Sequence, residues 1–162
     1  MHRAPHIPLV FAAVDGTVNA YARSTGDLTW TFRVPDGELD YRHVTRLAAT
    51  DNHVVVVAGR MNESGFFATA DGTAHVCCLD YATGRQLWHQ AIKGGDNIAR
   101  FTATLLVDGD QVLVAHGSVL AAFELASGRQ RWTQKLDRAK TSQHVLSVAL
   151  AIPGHAEQAD AR

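Results

Sequence analysis

Leu79-Asp80-Tyr81-Ala82-Thr83-Gly84-Arg85-Gln86-Leu87-Trp88 decides how the rest of this 162-residue chain is read. It has two relatives in the same chain. Tyr21-Ala22-Arg23-Ser24-Thr25-Gly26-Asp27-Leu28-Thr29-Trp30 precedes it, and Phe123-Glu124-Leu125-Ala126-Ser127-Gly128-Arg129-Gln130-Arg131-Trp132 follows it. In all three a glycine stands four residues before a tryptophan. A Thr or Ser precedes the glycine, and a large apolar residue sits five before it. The chain has three tryptophans, and each belongs to one of these copies. The repeat speaks to architecture and carries no chemistry of its own.

Working outward from each copy, the flanking segments read as short strands. Residues 17–23, 74–80 and 118–124 run into the glycine turns, and 28–34, 86–92 and 130–136 leave them carrying the tryptophans. A hairpin turn of this length usually needs one residue at positive φ, which costs glycine least. Further strands are expected at 7–13, 44–50, 53–59, 101–107, 111–116 and 144–152. Val54-Val55-Val56-Val57 places β-branched side chains on both faces, as in a strand covered on two sides. Asp15-Gly16, Asp51-Asn52, Asp108-Gly109-Asp110 and Gly117 punctuate the runs. Many short strands separated by turns mean an all-β protein. Four strands per tryptophan repeat mean a propeller blade, whose period is about 40–45 residues. The second and third tryptophans are 44 apart and the first and second 58 apart, the excess falling in Arg60 to Thr73.

At these residues the chain resembles the blades of pyrroloquinoline-quinone-type (PQQ-like) β-propellers, which are WD40-like in architecture. The resemblance is carried by Cys78-Leu79-Asp80 with Thr83-Gly84 and Trp88, and by Ala122-Phe123-Glu124 with Ser127-Gly128 and Trp132. Ala20-Tyr21 with Thr25-Gly26 and Trp30 forms the first copy. It departs at Ala22, where the family pattern has Asp, so a carboxylate-to-turn hydrogen bond is expected to be missing there. The structural repeat residues are therefore Gly26, Trp30, Asp80, Gly84, Trp88, Glu124, Gly128 and Trp132. The resemblance implies a partial propeller of three four-stranded antiparallel blades over residues 1–152; residues 153–162 are small and polar, and a flexible tail is expected there. It is weak for function, because the family spans quinoprotein dehydrogenases, assembly lipoproteins and sensor domains.

Three blades are too few to close a ring, since known propellers have about 4–8. The first blade lacks its inner strand, and 144–152 is a spare one. The chain is therefore expected to close in trans as a six-bladed homodimer, the alternatives being a ring shared with another blade-containing chain or a chain that is a fragment. Trp88→Ala is expected to cost about 3–5 kcal/mol, as for a core residue.

Composition restricts the function classes. Hydrophobic residues make up 46% and charged ones 19%, enough to build a core. Fifteen Lys and Arg against sixteen Asp and Glu give no electrostatic case for nucleic acid or an anionic membrane. The apolar run near the start is too short for a membrane span and makes a poor signal peptide, so the expected location is the cytoplasm. Cys77 and Cys78 are adjacent and no CxxC pair exists, so they are expected to be apolar fillers of a buried strand. Nine histidines are scattered and expected at the surface and at strand ends.

The long connections, 35–43, 60–73, 93–100 and 137–143, fall on one face of the blades, opposite the glycine turns. Binding residues concentrate on such loops. The candidate partner-binding residues are Met61, Phe66 and Phe67, with Tyr41, Arg42 and Arg100 on the same face. Phe66-Phe67 reads equally well as a docking plug or as an extension of the following strand that packs locally. No G-x-S-x-G, P-loop, H-E-x-x-H or calcium-loop pattern occurs. The leading expectation is a non-catalytic module without cofactor that assembles through blade edges and docks a protein by its long-loop face. The alternative is a ligand-binding or quinoprotein-like enzyme subunit with a pocket on the axis of the completed ring.

Overall fold

The structure, a computed structural model, describes residues 6–35, 44–62, 71–94, 102–137 and 147–160; of residues 44, 60–62, 71, 159 and 160 it describes the backbone alone. These residues form thirteen strands in four antiparallel sheets, and no helix occurs among them. The first sheet holds β1 (Leu9–Val14), β2 (Thr17–Ala22) and β3 (Leu28–Arg33). The second holds β4 (Val44–Ala49), β5 (His53–Asn62), β6 (Asp71–Asp80) and β7 (Gln86–Lys93). The third holds β8 (Ala103–Asp108), β9 (Gln111–His116), β10 (Val119–Glu124) and β11 (Gln130–Lys135). A hairpin of β12 (Ser147–Ile152) and β13 (His155–Asp160) is the fourth. In every sheet the strand order is the chain order, as turns of a few residues dictate. The all-β, blade-like organisation read from the repeat is what the chain adopts.

The turns follow the backbone rules that the residues impose. Asp15 and Gly16 both have positive φ, 47° and 75°, the condition of a two-residue hairpin turn. Gly26, Gly84 and Gly128 sit at 77°, 69° and 72°, so all three copies of the repeat share one turn geometry. Each copy also carries a register shift just after a small residue, at Ala20/Tyr21, Cys78/Leu79 and Ala122/Phe123. The bulge sets each tryptophan directly across from that small side chain: Trp30 from Ala20, Trp88 from Cys78, Trp132 from Ala122. A small neighbour leaves the indole room to lie over the blade and reach outward.

Blades pack face to face. Leu9, Val18, Ala20, Trp30 and Val34 of the first meet Val54, Val56, Ala58, Cys77 and Leu79 of the second. The opposite face of the second, with Val55, Val57, Val76, Cys78, Trp88 and Ile92, meets Ala103, Leu105, Val112, Val114, Phe123 and Leu125 of the third. The four-valine run is thus divided between two interfaces, as its two-sided pattern requires. A third cluster joins Leu106, Leu113, Ala115 and Ala122 to Val148 and Leu150 of β12.

Three expectations are corrected. The segment 60–73 is not a loop throughout: β5 runs on to Asn62 and β6 starts at Asp71, paired as Asn62↔Asp71. The tail does not fray from residue 153. Positive φ at Gly154 turns the chain back, and His155–Asp160 pairs with β12 from Ile152↔His155 to Ser147↔Asp160. The spare single strand is consequently a hairpin. If β12 completes β1's sheet in another copy, β13 is an additional strand that a count of twelve does not include.

Candidate docking site at the tryptophan seats

Each complete blade junction contains the same device. The indole of Trp30 lies on the glycine turn of the next blade, and its Nε1–H donates to the carbonyl of Tyr81 at 3.0 Å. Trp88 does the same one blade on, donating to the carbonyl of Leu125 at 2.8 Å. Both acceptors stand three residues before the glycine. The rings pass so close that a methyl group on Gly84 would stand 2.5 Å from Trp30, and one on Gly128 2.5 Å from Trp88. Glycine is therefore required twice over here, by its φ and by the ring that covers it. Both seats bury a large apolar surface and satisfy the one polar atom that comes with it. Phe11 and Tyr81 extend the first seat, with ring centroids 5.2 Å apart and edge-on, and Phe11 lies 5.6 Å from Trp30. In the second, Trp88 lies 6.2 Å from Phe123, and Gln90 Nε2 donates to the carbonyl of Gly128 at 2.9 Å.

The turns that receive the rings are preorganised by the residues around the glycine. Gly84 N–H donates to Asp80 O at 2.9 Å, Gly128 N–H to Glu124 O at 2.8 Å, and Gly26 N–H to Ala22 O at 2.8 Å. The Thr or Ser before the glycine accepts the N–H of the residue after it, at 3.3 Å for Thr25, 3.3 Å for Thr83 and 3.2 Å for Ser127. Asp80 Oδ1 accepts from both the Thr83 hydroxyl, at 2.7 Å, and the Thr83 N–H, at 2.9 Å. The Thr83 hydroxyl bond, with the backbone bonds and the Arg85 charge behind it, holds the Asp80 carboxyl below the usual carboxylate range despite an opposing desolvation effect. Glu124 accepts from the Ser127 hydroxyl at 2.5 Å. Ala22 offers no such acceptor, so the bond expected to be missing from the first copy is missing.

The repeat has two open ends. Trp30 and Trp88 are buried, at 9% and 8% exposure, but Trp132 is 38% exposed and is not the core residue its sequence context suggests. Gly26 is the mirror case: its turn is built like the others, yet a methyl group there would meet nothing within 4 Å. The outer face of the first blade leaves Val10 and Leu28, at the end near this turn, at 50% and 59% exposure, and Val14, at the opposite end, at 67%. Contiguous exposed apolar groups on one sheet face are uncommon on monomeric proteins.

The junction of the second and third blades also holds the buried polar side chains among the described residues: Thr102, Thr104, His116 and Ser118. His116 sits between two carbonyls, with Nδ1 2.7 Å from Thr102 O and Nε2 2.9 Å from Gly72 O. A neutral imidazole has one N–H, so both bonds form together only when both ring nitrogens carry protons. A methyl group on Gly94 would stand 2.7 Å from Nε2, which explains a glycine there. Ser118 N–H and Oγ both donate to Gly94 O, at 3.0 and 3.3 Å. This knot ties the start of β8 and the end of β9 to β6 and β7. The sequence marked His116 only as a strand-end histidine, and nothing in its neighbours announced a buried one.

Among the described residues no three His, Cys, Asp or Glu side chains gather as a metal site. The His116 knot is spent on backbone carbonyls. These described residues do not supply a donor set for a quinone with its cation. Cys77 and Cys78 are free and buried; burial, and for Cys77 also the neighbouring Cys78, pushes both thiols up to about 12. They are core fillers, as expected. Of the candidate partner-binding residues, Tyr41, Arg42, Phe66, Phe67 and Arg100 lie outside the described residues, and Met61 is described by its backbone alone.

Blades joined by tryptophan on glycine define a propeller of PQQ-like repeats. A family model described as "Outer membrane protein assembly factor BamB" matches residues 14–160, and the chain belongs to this PQQ-like repeat family. Among solved structures it is similar to a europium-containing methanol dehydrogenase, at 17% identity and a TM-score of 0.53 over 88% of this chain. The chain spans 25% of that enzyme's length, and the likeness is one of fold. No curated protein matches the chain.

Proposed function

We propose that the protein is a non-catalytic propeller module whose ring is completed by a second copy of the chain. One observation carries this: the open tryptophan and the open glycine turn are the two halves of the same seat. Trp132 is followed two residues later by Gln134, as Trp88 is followed by Gln90, which bonds the glycine carbonyl of its seat. In the docked pair Trp132 lies on the Gly26 turn of the other copy, and its Nε1–H donates to the carbonyl of Arg23, three residues before that glycine. Each copy gives one tryptophan and receives one, so a two-fold pair uses both ends and closes. The open edge of β1 accepts β12 in the same step, which removes two strand edges that would otherwise invite aggregation. A protein partner then docks on the face of the completed ring opposite the glycine turns.

Light scattering on the purified protein, beside Trp132→Ala, tests the reading. The wild type is expected to have the mass of two chains and the variant that of one. A wild type that runs as a single folded chain overturns it.

A second reading, a ligand pocket on the ring axis, is favoured by Arg46. It lies on β4, the innermost strand of its blade, and its Nε is buried with no hydrogen-bond partner. A buried Nε–H without a partner among the described residues is costly, and an anionic group on the axis would satisfy it. Binding of small carboxylates or phosphate that Arg46→Met abolishes, without changing the assembled mass, supports this reading over the first.

A further inference from the structure

His75 and His89 are fourteen residues apart in sequence and touch in the fold. They stand on the third and fourth strands of the second blade. His89 faces Cys77 across the β6–β7 ladder and His75 faces Ala91, so the two imidazoles are diagonal neighbours on one sheet face. Their rings are nearly parallel, 18° apart with centroids at 5.2 Å. His75 Nδ1 stands 2.9 Å from His89 Nε2. In that arrangement one nitrogen donates a proton to the lone pair of the other.

A metal ion uses the same arrangement. Replace the shared proton by a divalent ion, and both nitrogens can turn a lone pair toward it, as two corners of a tetrahedral site. Nitrogens at about 2.0–2.1 Å from a tetrahedral ion stand roughly 3.4 Å apart. The pair thus needs to open by about half an ångström, within reach of a small χ rotation of a side chain as exposed as His89. We propose that His75 and His89 form a two-imidazole site for a borderline divalent ion such as zinc. Imidazole suits zinc, copper and nickel far better than calcium or magnesium. No third His, Cys, Asp or Glu stands with them among the described residues, so water fills the remaining positions. Such an ion staples β6 to β7. β7 is also the strand that carries Trp88 on its other face, so the staple holds the strand whose indole is seated on Gly128.

Zinc titration of the wild type and of His89→Gln, by calorimetry and by thermal unfolding, tests the site. His89 is exposed and Gln keeps a polar side chain there, so the variant is expected to fold. The chain has seven other histidines, and the readout is the difference between the two proteins. The wild type should bind one zinc equivalent more than the variant. Zinc should raise its unfolding temperature, reversibly with a chelator, and leave that of the variant unmoved. His75→Gln should reproduce the loss. Equal stoichiometry and equal thermal response in wild type and His89→Gln overturn the proposal. So does a wild type that folds and takes up no zinc.

Discussion

The seats at Gly84 and Gly128 and the turn at Gly26 share the positive φ of the glycine, its N–H bond across the turn and the Thr or Ser bond beside it; the Gly26 turn lacks the carboxylate bond, and the main difference is what lies on top. Two are roofed by an indole from the preceding blade. Among the described residues nothing roofs the third, and no glycine turn lies beneath Trp132. The difference teaches that the turn does not need the tryptophan in order to form. Thr or Ser before the glycine and the backbone bonds across it hold the turn without a ring on it, so a ring can bind a surface that is already shaped. Preorganisation of that kind lowers the cost of docking, whether the ring comes from the same chain or another.

The sharpest way to break the comparison is to remove the rings. Trp88→Ala should destabilise the chain by about 3–5 kcal/mol, since it empties a buried seat and orphans a hydrogen bond. Trp132→Ala should cost the dissociated chain only about 1 kcal/mol, because its ring is already partly in water. Urea denaturation of both variants at low protein concentration measures this, and equal losses would erase the distinction between closed and open ends.

Adding a methyl to the turns is the next contrast. Gly128→Ala meets Trp88 and also takes a left-handed conformation, at a cost of roughly 2–4 kcal/mol. Gly26→Ala meets no atom and should cost only the conformational part, about 1–2 kcal/mol. If Gly26 receives Trp132 of a second copy, the same small variant should dissociate the pair far more than it destabilises the chain.

The smallest effect concerns the acid of the motif. Ala22→Asp restores to the first turn the acceptor that Asp80 gives the second, and should stabilise by about 0.5–1 kcal/mol near neutral pH. The sign with pH follows from Asp80. Its carboxyl is held below its unfolded value, so its contribution is complete above about pH 4 and is lost as the pH falls through the lowered folded value. The gain from Ala22→Asp should vanish over the same acidic window, as a pH series of denaturation curves would show.

Much of the fold was legible because the repeat is local. A glycine at fixed distance from a tryptophan, with alternating apolar residues on either side, dictates a hairpin and its buried face. The pairing of Trp30 with Gly84, and of Trp88 with Gly128, was not legible, although all four residues were marked. It joins residues forty or more apart, and the spacing within a copy says nothing about contact between copies. β13 escaped notice because His155–Asp160 is small and polar, with little of the apolar alternation that marks a half-buried strand. Its pairing comes from the turn at Gly154 and the open edge of β12. His116, and the contact of His75 with His89, were lost for a related reason. A histidine has no periodic signature, and only the strand register brings these together.

The claim on which the account turns is that Trp132 completes its seat on Gly26 of a second copy. The most direct test is fluorine NMR of the chain carrying 5-fluorotryptophan, followed through a dilution series. Three resonances are expected. Those of Trp30 and Trp88 should hold their positions, and that of Trp132 should move from a solvent-exposed shift toward theirs as concentration rises. Gly26→Ala should suppress the movement. A Trp132 resonance that stays at its exposed position at every concentration, in a folded protein, would contradict the account.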